Sequence, residues 1–206
     1  MSHASDPFFR TFHALRIKGF AKADVIAEVA DLPIHLVDEH LQGLAAREWA
    51  QYREARELWQ LTPLGREEHR LALARDVGGA ELSPRLFEPY REFLALDDRF
   101  KHLCGDWQLR DSQPNDHHDN DYDLEVVERL VALDCDAAPV VARFGEVLER
   151  LTPYGPRLAR TCLRVVEGET NMFTGVMCGS YHDVWMELHE DLILSQGFDR
   201  LTEGSF

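Results

Sequence analysis

Apolar residues recur at helical spacing along most of the chain, and the clearest example lies between residues 179 and 197. At about 100° per residue, one face of this segment is apolar and collects Tyr181, Val184, Trp185, Leu188 and Leu192. Two histidines, His182 and His189, lie along the border of that face. The pattern predicts a core helix whose border histidines are placed to look into an interior cavity.

The first third of the chain predicts three short helices. Their apolar patterns cover the ranges 7–18, 22–30 and 34–47. Leu32-Pro33 makes a tight turn between the second and third ranges. Three short helices with one tight turn are typical of a helix-turn-helix arrangement.

A hairpin pattern follows these helices. Residues 49–53 and 58–61 alternate between apolar and polar side chains, and the polar residues 54–57 separate them. This alternation predicts a β-hairpin, or wing. Thr62-Pro63 can then begin a fourth helix over 64–75, because threonine is a favourable N-cap and proline fits the first helical position.

Residues 77–206 predict an α-helical bundle. Further helical patterns cover 85–104 in one or two pieces, 124–133, 138–151, 156–167 and 179–197. Residues 105–123 are polar and irregular, and they form too long a segment for an ordinary connection. The predicted fold class is therefore mainly α, with an N-terminal winged helix-turn-helix domain and a small β-hairpin wing over 1–76, followed by an acidic α-helical bundle domain over 77–206.

Charge is distributed unevenly between these two parts. The net charge is -15; up to Asp76 there are ten Lys and Arg against twelve Asp and Glu, and beyond it twelve against twenty-five. The first part therefore carries -2 and the second -13. Because nonspecific DNA affinity comes mostly from neutralised phosphates, such a chain is expected to be a weak general DNA binder.

Composition also indicates the cellular environment. The four cysteines are widely spaced and form no CxxC pair, which favours reduced thiols over a disulfide framework. The chain begins without a secretory signal pattern, and it has no apolar run of about 18 residues. We therefore expect a soluble cytoplasmic protein with no membrane partner.

The order helix, helix, helix, hairpin, LTPLGRE, helix resembles the MarR-like winged-helix regulators. The segments WQLRD, PNDH, YGPRLAR and SYHDVWMELHEDL are similar to an actinobacterial type of these regulators, in which a helical domain follows the wing. A segment similar to the last of them also occurs in proteins related to phosphoenolpyruvate-utilising enzymes. The resemblance implies a transcriptional regulator that binds an operator DNA as a homodimer and senses a small-molecule effector.

By this resemblance, residues 34–47 would be the recognition helix. The candidate DNA-binding residues are His35, Gln42 and Arg47 on that helix and Arg53 and Arg56 on the wing. Gln42 can read adenine, and the arginines can hold phosphate or enter the minor groove. Asp38 and Glu39, however, would face the phosphates. The alternative is a winged helix used for contact with protein.

A small-molecule pocket is predicted in the second domain. Its candidate lining residues are Trp107, Arg110, His117, Tyr154, Tyr181, His182, Trp185 and His189. They supply aromatic walls and a few directional polar groups, which is the usual make-up of a ligand cavity, and Arg110 can receive a carboxylate or phosphate. The alternative is that the aromatic stripe is plain core and that the histidines bind neighbouring polar groups.

A metal site is a weaker hypothesis. Its ligands would come from His117, His118, Asp119 and His182. His182 and His189 are separated by about 10.5 Å of helical rise, so they cannot readily share one ion. The alternative is a solvated acidic turn that leads into a helix.

Signatures of an enzyme are largely missing. The chain has no GxSxG elbow, no P-loop and no GxGxxG, so no catalytic residue and no cofactor are predicted. The first hypothesis is therefore a winged-helix regulator. The competing hypotheses are an accessory winged-helix protein that no longer binds DNA and acts beside a phosphoenolpyruvate-type enzyme, and an enzyme that uses the histidine and carboxylate cluster.

Overall fold

A computed structural model of the chain describes residues 2–78, 82–110 and 112–197 and is mainly helical. The N-terminal part contains, in chain order, α1 (Pro7–Lys18), β1 (Phe20–Ala21), α2 (Ala23–Ala30), α3 (Ile34–Ala46), β2 (Ala50–Arg53), β3 (Leu58–Leu61) and α4 (Pro63–Asp76). The predicted fold class, mainly α with a small β wing, is confirmed.

Local side chains explain where two of these helices begin. The Asp6 carboxylate accepts hydrogen bonds from the backbone N–H groups of Phe8 and Phe9, and Pro7 is the first residue of α1. Thr62 caps α4 in the same way, because its hydroxyl accepts from the N–H of Gly65 at 2.9 Å. Both caps agree with the sequence-based boundaries.

The wing is an antiparallel hairpin in which β2 pairs with β3 from Ala50↔Leu61 to Arg53↔Leu58. A short 3-10 turn, Glu54–Arg56, connects the strands. The two-residue strand β1 pairs with the other edge of β3, so the sheet order is β1-β3-β2. The sequence did not predict β1, because two residues are too few to show an alternating pattern.

The LTPLG segment brings α4 against the start of the wing. A Cβ atom added to Gly65 would lie 1.8 Å from the carbonyl oxygen of Trp49. That oxygen also accepts the backbone N–H of Thr62 at 3.0 Å. Glycine at position 65 is therefore required by the close approach of two backbones.

The C-terminal part is a bundle built around long helices. It contains α5 (Ser83–Gln108), β4 (Leu109–Arg110), β5 (Gln113–Pro114), α6 (Asn120–Val147), a 3-10 turn (Glu149–Leu151), α7 (Tyr154–Val166), α8 (Asn171–Thr174) and α9 (Tyr181–Gln196). The helices predicted over 124–133 and 138–151 are one helix that ends at Val147, and 85–104 forms part of another unbroken helix. The predicted boundary between 133 and 138 was wrong.

Proline explains this error. Pro89 lies inside α5 and Pro139 inside α6. Each proline removes one backbone hydrogen bond from its helix, but the buried stripe continues across both positions. In α5 this stripe comprises Leu86, Tyr90, Phe93, Leu96, Phe100, Leu103 and Trp107. The packing of these side chains keeps the helix continuous.

Two hydrophobic clusters form the core. One lies within the winged helix and includes Phe12, Ile26 and Leu41; the other lies within the bundle and is centred on α9. Tyr181 and Trp185 of α9 are 0% exposed, so the sequence-based prediction that 179–197 forms a core helix is confirmed.

The N-terminal part also contacts the bundle directly. Residues before α1 add a bridge to the bundle, because His3 N–H donates to the carbonyl of Val147 at 2.8 Å and the His3 carbonyl accepts from Glu149 at 2.9 Å. A small apolar cluster of Phe9, Leu73 and Val77 also packs against Leu194 of α9. Helices α1 and α4 therefore lie against the bundle.

Candidate functional site

The outward face of α3 is open to solvent. His35, Asp38, Glu39 and Gln42 are exposed, whereas the opposite face buries Val37, Leu41 and Leu44 in the winged-helix core. Two predicted DNA-binding residues, His35 and Gln42, therefore lie on an accessible surface. The same surface carries the two carboxylates that the sequence placed there.

Arg47 is held against the winged helix itself. Its Nη1 donates to the Gly43 carbonyl at 2.7 Å, and its guanidinium lies 5.1 Å from the ring centre of Phe8 and 5.7 Å from that of Trp49. These contacts tie the end of α3 to α1 through cation–π interactions. Arg47 thus has a structural role in addition to the predicted role in DNA binding.

The wing carries the other two predicted arginines. The Gln60 amide, with its oxygen turned toward Arg53, accepts from Nη2 at 3.0 Å and from Nε at 3.1 Å. Arg56 is exposed in the turn between the strands. Arg53 is therefore held across the hairpin, while Arg56 extends from its tip.

A groove separates α3 from the wing. Its volume is about 650 Å³, and its charged lining consists of Asp24, Asp38, Glu57 and Lys22. Lys22 Nζ lies 3.5 Å from the Glu57 carboxylate, so the only cation of this lining is already paired within the described residues. The groove is acidic, and this potential opposes a close approach of phosphate.

Buried charges join the winged helix to the bundle, and Arg150 is at their centre. Its guanidinium donates to the Asp191 carboxylate of α9 and to the Ser195 hydroxyl, the latter at 2.6 Å. Arg150 Nε also lies 3.5 Å from the carboxylate of Asp76, at the end of α4. A buried guanidinium needs such partners, because an unpaired charge in the interior is strongly unfavourable.

Two histidines of the winged helix complete this network. His13 Nε2 lies 3.0 Å from Asp191 Oδ1, and His13 Nδ1 lies 2.9 Å from His69 Nε2. Only one of the two facing nitrogens can carry a proton, so the pair is compatible with two neutral rings. We call His13, His69, Arg150, Asp191 and Asp76 the interdomain polar network.

The pKa values of this network follow from burial and charge. Burial is the largest cause that lowers the pKa of His13, and burial together with the neighbouring His13 lowers the pKa of His69 to about 2. Burial acts to raise the pKa of Asp191, but Arg150 and His13 outweigh it and hold that pKa below its usual range. Beside Asp76, the network therefore contains the Asp191 carboxylate, the Arg150 guanidinium and two neutral imidazoles.

A second buried ion cluster lies nearby on α9. Glu187 accepts from Lys18 of α1 at 2.6 Å and from Arg157 of α7 at 2.6 Å. Tyr154 hydroxyl donates to Asp191 Oδ2 at 3.2 Å and links the two clusters. The polar face of α9 thus connects the winged helix to the rest of the bundle.

The residues predicted to line one ligand pocket are distributed among separate contacts. Tyr181 donates to Asp134, and Trp185 donates to Asp97 at 2.8 Å. His189 is buried beside the Tyr90 hydroxyl at 3.3 Å, and Tyr154 belongs to the ion clusters. These side chains are core residues with polar partners, which was the alternative interpretation of the sequence.

The other predicted pocket residues lie near the end of α5. Trp107 is buried under the His117 ring, whose centre is 4.6 Å away, and it also packs on Phe173. Arg110 pairs with Asp119 at 2.7 Å. His182 instead lies by Phe100, with ring centres 6.2 Å apart. The predicted pocket between the Trp107 segment and the border histidines is therefore not supported, because the two groups have different contacts.

The residues of the metal hypothesis also have other partners. His117 Nδ1 lies 2.9 Å from Asp123, and the Asp119 side chain caps α6 by accepting from Tyr122 N–H. His118 is exposed. Within the described residues, no three His, Cys, Asp or Glu side chains are grouped in a way that could hold a metal ion.

Sequence reasoning missed the interdomain polar network. His13 lies between the buried residues Phe12 and Ala14, and Asp191 directly precedes the buried Leu192 and Ile193. A polar residue next to buried apolar positions is the signal that could have found them. Their partners are far apart in sequence, however, so a single chain gives no means of pairing them.

No family model, no curated protein and no solved structure matches the chain. In the part of the chain that the structure describes, no helix has the length and apolar character needed to cross a membrane.

Proposed function

We propose that this protein is a winged-helix transcriptional regulator that binds DNA through α3 and the wing. The observation that carries the proposal is the accessible outward face of α3, with His35 and Gln42 exposed in a helix-turn-helix that is followed by a hairpin. Docking of the bundle against α1 and α4 leaves this face open to solvent. A recognition helix must be accessible in this way to enter the major groove.

The proposed contacts divide into two kinds. Gln42 and His35 would contact base edges, while Arg53 and Arg56 would hold phosphates beside the wing. One winged helix makes few such contacts, so we propose that a homodimer binds two half-sites about one helical turn apart. With about two phosphates neutralised per winged helix, a homodimer neutralises about four. A plot of the logarithm of affinity against the logarithm of salt concentration should therefore have a slope of only about -4.

The test is a mobility-shift titration with DNA from upstream of the protein's own coding region. R53A/R56A should weaken binding by about 100-fold or more, since two phosphate contacts are lost in each protomer. R91A/R129A is the matched control, because these exposed arginines of α5 and α6 lie outside the winged helix. Equal affinities of the two double variants, or no shift at low salt, would contradict the proposal.

The acidic groove favours a second candidate function, in which the winged helix binds a basic segment of a partner protein. Asp24, Asp38 and Glu57 line this groove. A lysine-rich peptide serves as the probe, and D24N/D38N should weaken its binding while D121N/E125Q, on the exposed start of α6, should not. Equal loss in both variants would indicate attraction to net charge alone and would exclude this candidate.

A further inference from the structure

A cleft of about 760 Å³ lies between the winged helix and the bundle. Its winged-helix wall comes from the end of α1, from β1 and from α2, and its other wall comes from α7, α9 and the segment before α9. The volume is within the usual range for small-molecule sites. Its lining differs from that of the pocket predicted from the sequence, so it is a separate candidate site.

Arginines cover one wall of this cleft. Arg157, Arg160 and Arg164 all line it, and their spacing of three and four residues places them on one face of α7. The opposite face of α7 is buried and carries Leu158, Cys162 and Val165. From the winged helix, Lys18 and Lys22 add two more cations to the lining. Five cations thus line the cleft, together with the four carboxylates Glu28, Asp183, Glu187 and Glu190.

Carboxylates pair with all of these cations, including Lys18 with Glu187 and Lys22 with Glu57, but they leave arginine donors available. Arg160 pairs with Glu28, and Arg164 with Glu169, through exposed side chains on both sides. Exposed pairs of this kind contribute little to stability, so either guanidinium can turn toward another anion. Arg157 is buried, and among the described residues its Nε has no hydrogen-bond acceptor, although its Nη2 binds Glu187.

The lining also has an apolar part. Phe20 is 42% exposed and Met177 is 69% exposed, and both line the cleft together with Val25, Leu58 and Met186. Side chains from both parts of the chain thus provide a hydrophobic surface next to the arginines. Burial of an apolar group against this surface would be favourable.

We propose that the cleft binds a small organic anion, with a carboxylate or phosphate held by the α7 arginines and an apolar body against Phe20 and Met177. The planar guanidinium fork suits both kinds of anion. The unpartnered Nε–H of Arg157 donates to one of their oxygens. Because its walls belong to both parts of the chain, an occupant of the cleft contacts the winged helix and the bundle together. This site goes beyond DNA binding and does not depend on it.

Binding to the purified full-length chain, without DNA, tests this proposal by calorimetry. The probes are phenyl phosphate and octanoate, compared with phenol and inorganic phosphate, which each represent one half of the ligand chemistry. At least one organic anion should bind about tenfold more tightly than both phenol and inorganic phosphate. Equal binding of inorganic phosphate would indicate a nonspecific anion site, and equal binding of phenol would indicate a purely apolar site. If neither organic anion binds, the cleft is not a site for this class of ligand. Each of these three results overturns the proposal.

Variants locate the binding. R160Q/R164Q should weaken the best probe by about tenfold or more, while R91Q/R129Q, with the same change of net charge at exposed sites, should leave its affinity unchanged. Urea unfolding of both variants checks that the fold is retained. Equal affinities of the two variants would exclude the α7 arginines from the site. Failure of DNA binding in the mobility-shift assay would leave this result unaffected.

Discussion

Asp191 shows how one side chain can connect the two parts of the molecule. It is buried, accepts from Arg150, and lies beside His13 of the winged helix and Tyr154 of α7. The sequence places it on the predicted core helix, but its neighbours at 13 and 150 come from distant segments. Tertiary contacts alone identify its role.

Asp191→Asn should therefore be strongly destabilising. The substitution leaves the Arg150 guanidinium buried with only the more distant Asp76 carboxylate, and breaking a buried pair costs about 3–5 kcal/mol. Urea unfolding at neutral pH measures this loss. Glu92→Gln, which breaks the exposed pair with Arg143, is the control and should change the free energy of unfolding little. A similar small change for both variants would show that the buried pair does not stabilise the fold.

At the scale of elements, the junction of the wing and α4 depends on the absence of a side chain at Gly65. Gly65→Ala should cost about 1–3 kcal/mol, because its Cβ would overlap the Trp49 carbonyl and push two backbones apart. Gly105→Ala is the matched control, since this α5 glycine has open space around the added Cβ and alanine favours a helix by up to about 1 kcal/mol. Thermal melting distinguishes the two substitutions. Stabilisation by Gly65→Ala would contradict the close packing of α4 on the wing.

Local sequence patterns predicted some of these elements and not others. The winged helix was predictable because its caps, its hairpin and its LTPLG segment are local signals. The unbroken α6 was not, because Pro139 is a local signal for a helix end and packing of the bundle outweighs it. The predicted ligand pocket is not supported for a related reason. An aromatic stripe with bordering histidines has the same sequence pattern when it packs on another helix, as Trp185 packs on Phe93, and when it lines a cavity.

At the scale of the whole molecule, the interdomain polar network should make stability depend on pH. The pKa values of His13 and His69 are lowered in the folded protein, whereas an unfolded chain binds a proton on each ring below the ordinary value of 6.5. The unfolded state therefore binds more protons below pH 6.5. Stability from these histidines is fully present above that pH and is lost as pH falls below it, by up to about 1.4 kcal/mol per pH unit for each ring.

The groups that face these rings allow the effect to be isolated. Asp191, Arg150 and Asp76 surround His13, and His69 is also near Arg16. Asp191 has a lowered pKa as well, but its contribution is lost only as pH falls below its ordinary value of 3.8. Between about pH 6 and about pH 4, the histidines of the network should therefore dominate the change in the free energy of unfolding.

His69→Gln tests this assignment, because the glutamine amide can still donate to His13 Nδ1 while one titrating ring is removed. Urea unfolding across this window should show a dependence on pH reduced by about 1.4 kcal/mol per pH unit. His102→Gln removes an exposed ring of α5 and serves as the control for loss of a histidine. If both variants keep the dependence of the original chain, the buried pair does not couple protonation to the contact between the winged helix and the bundle.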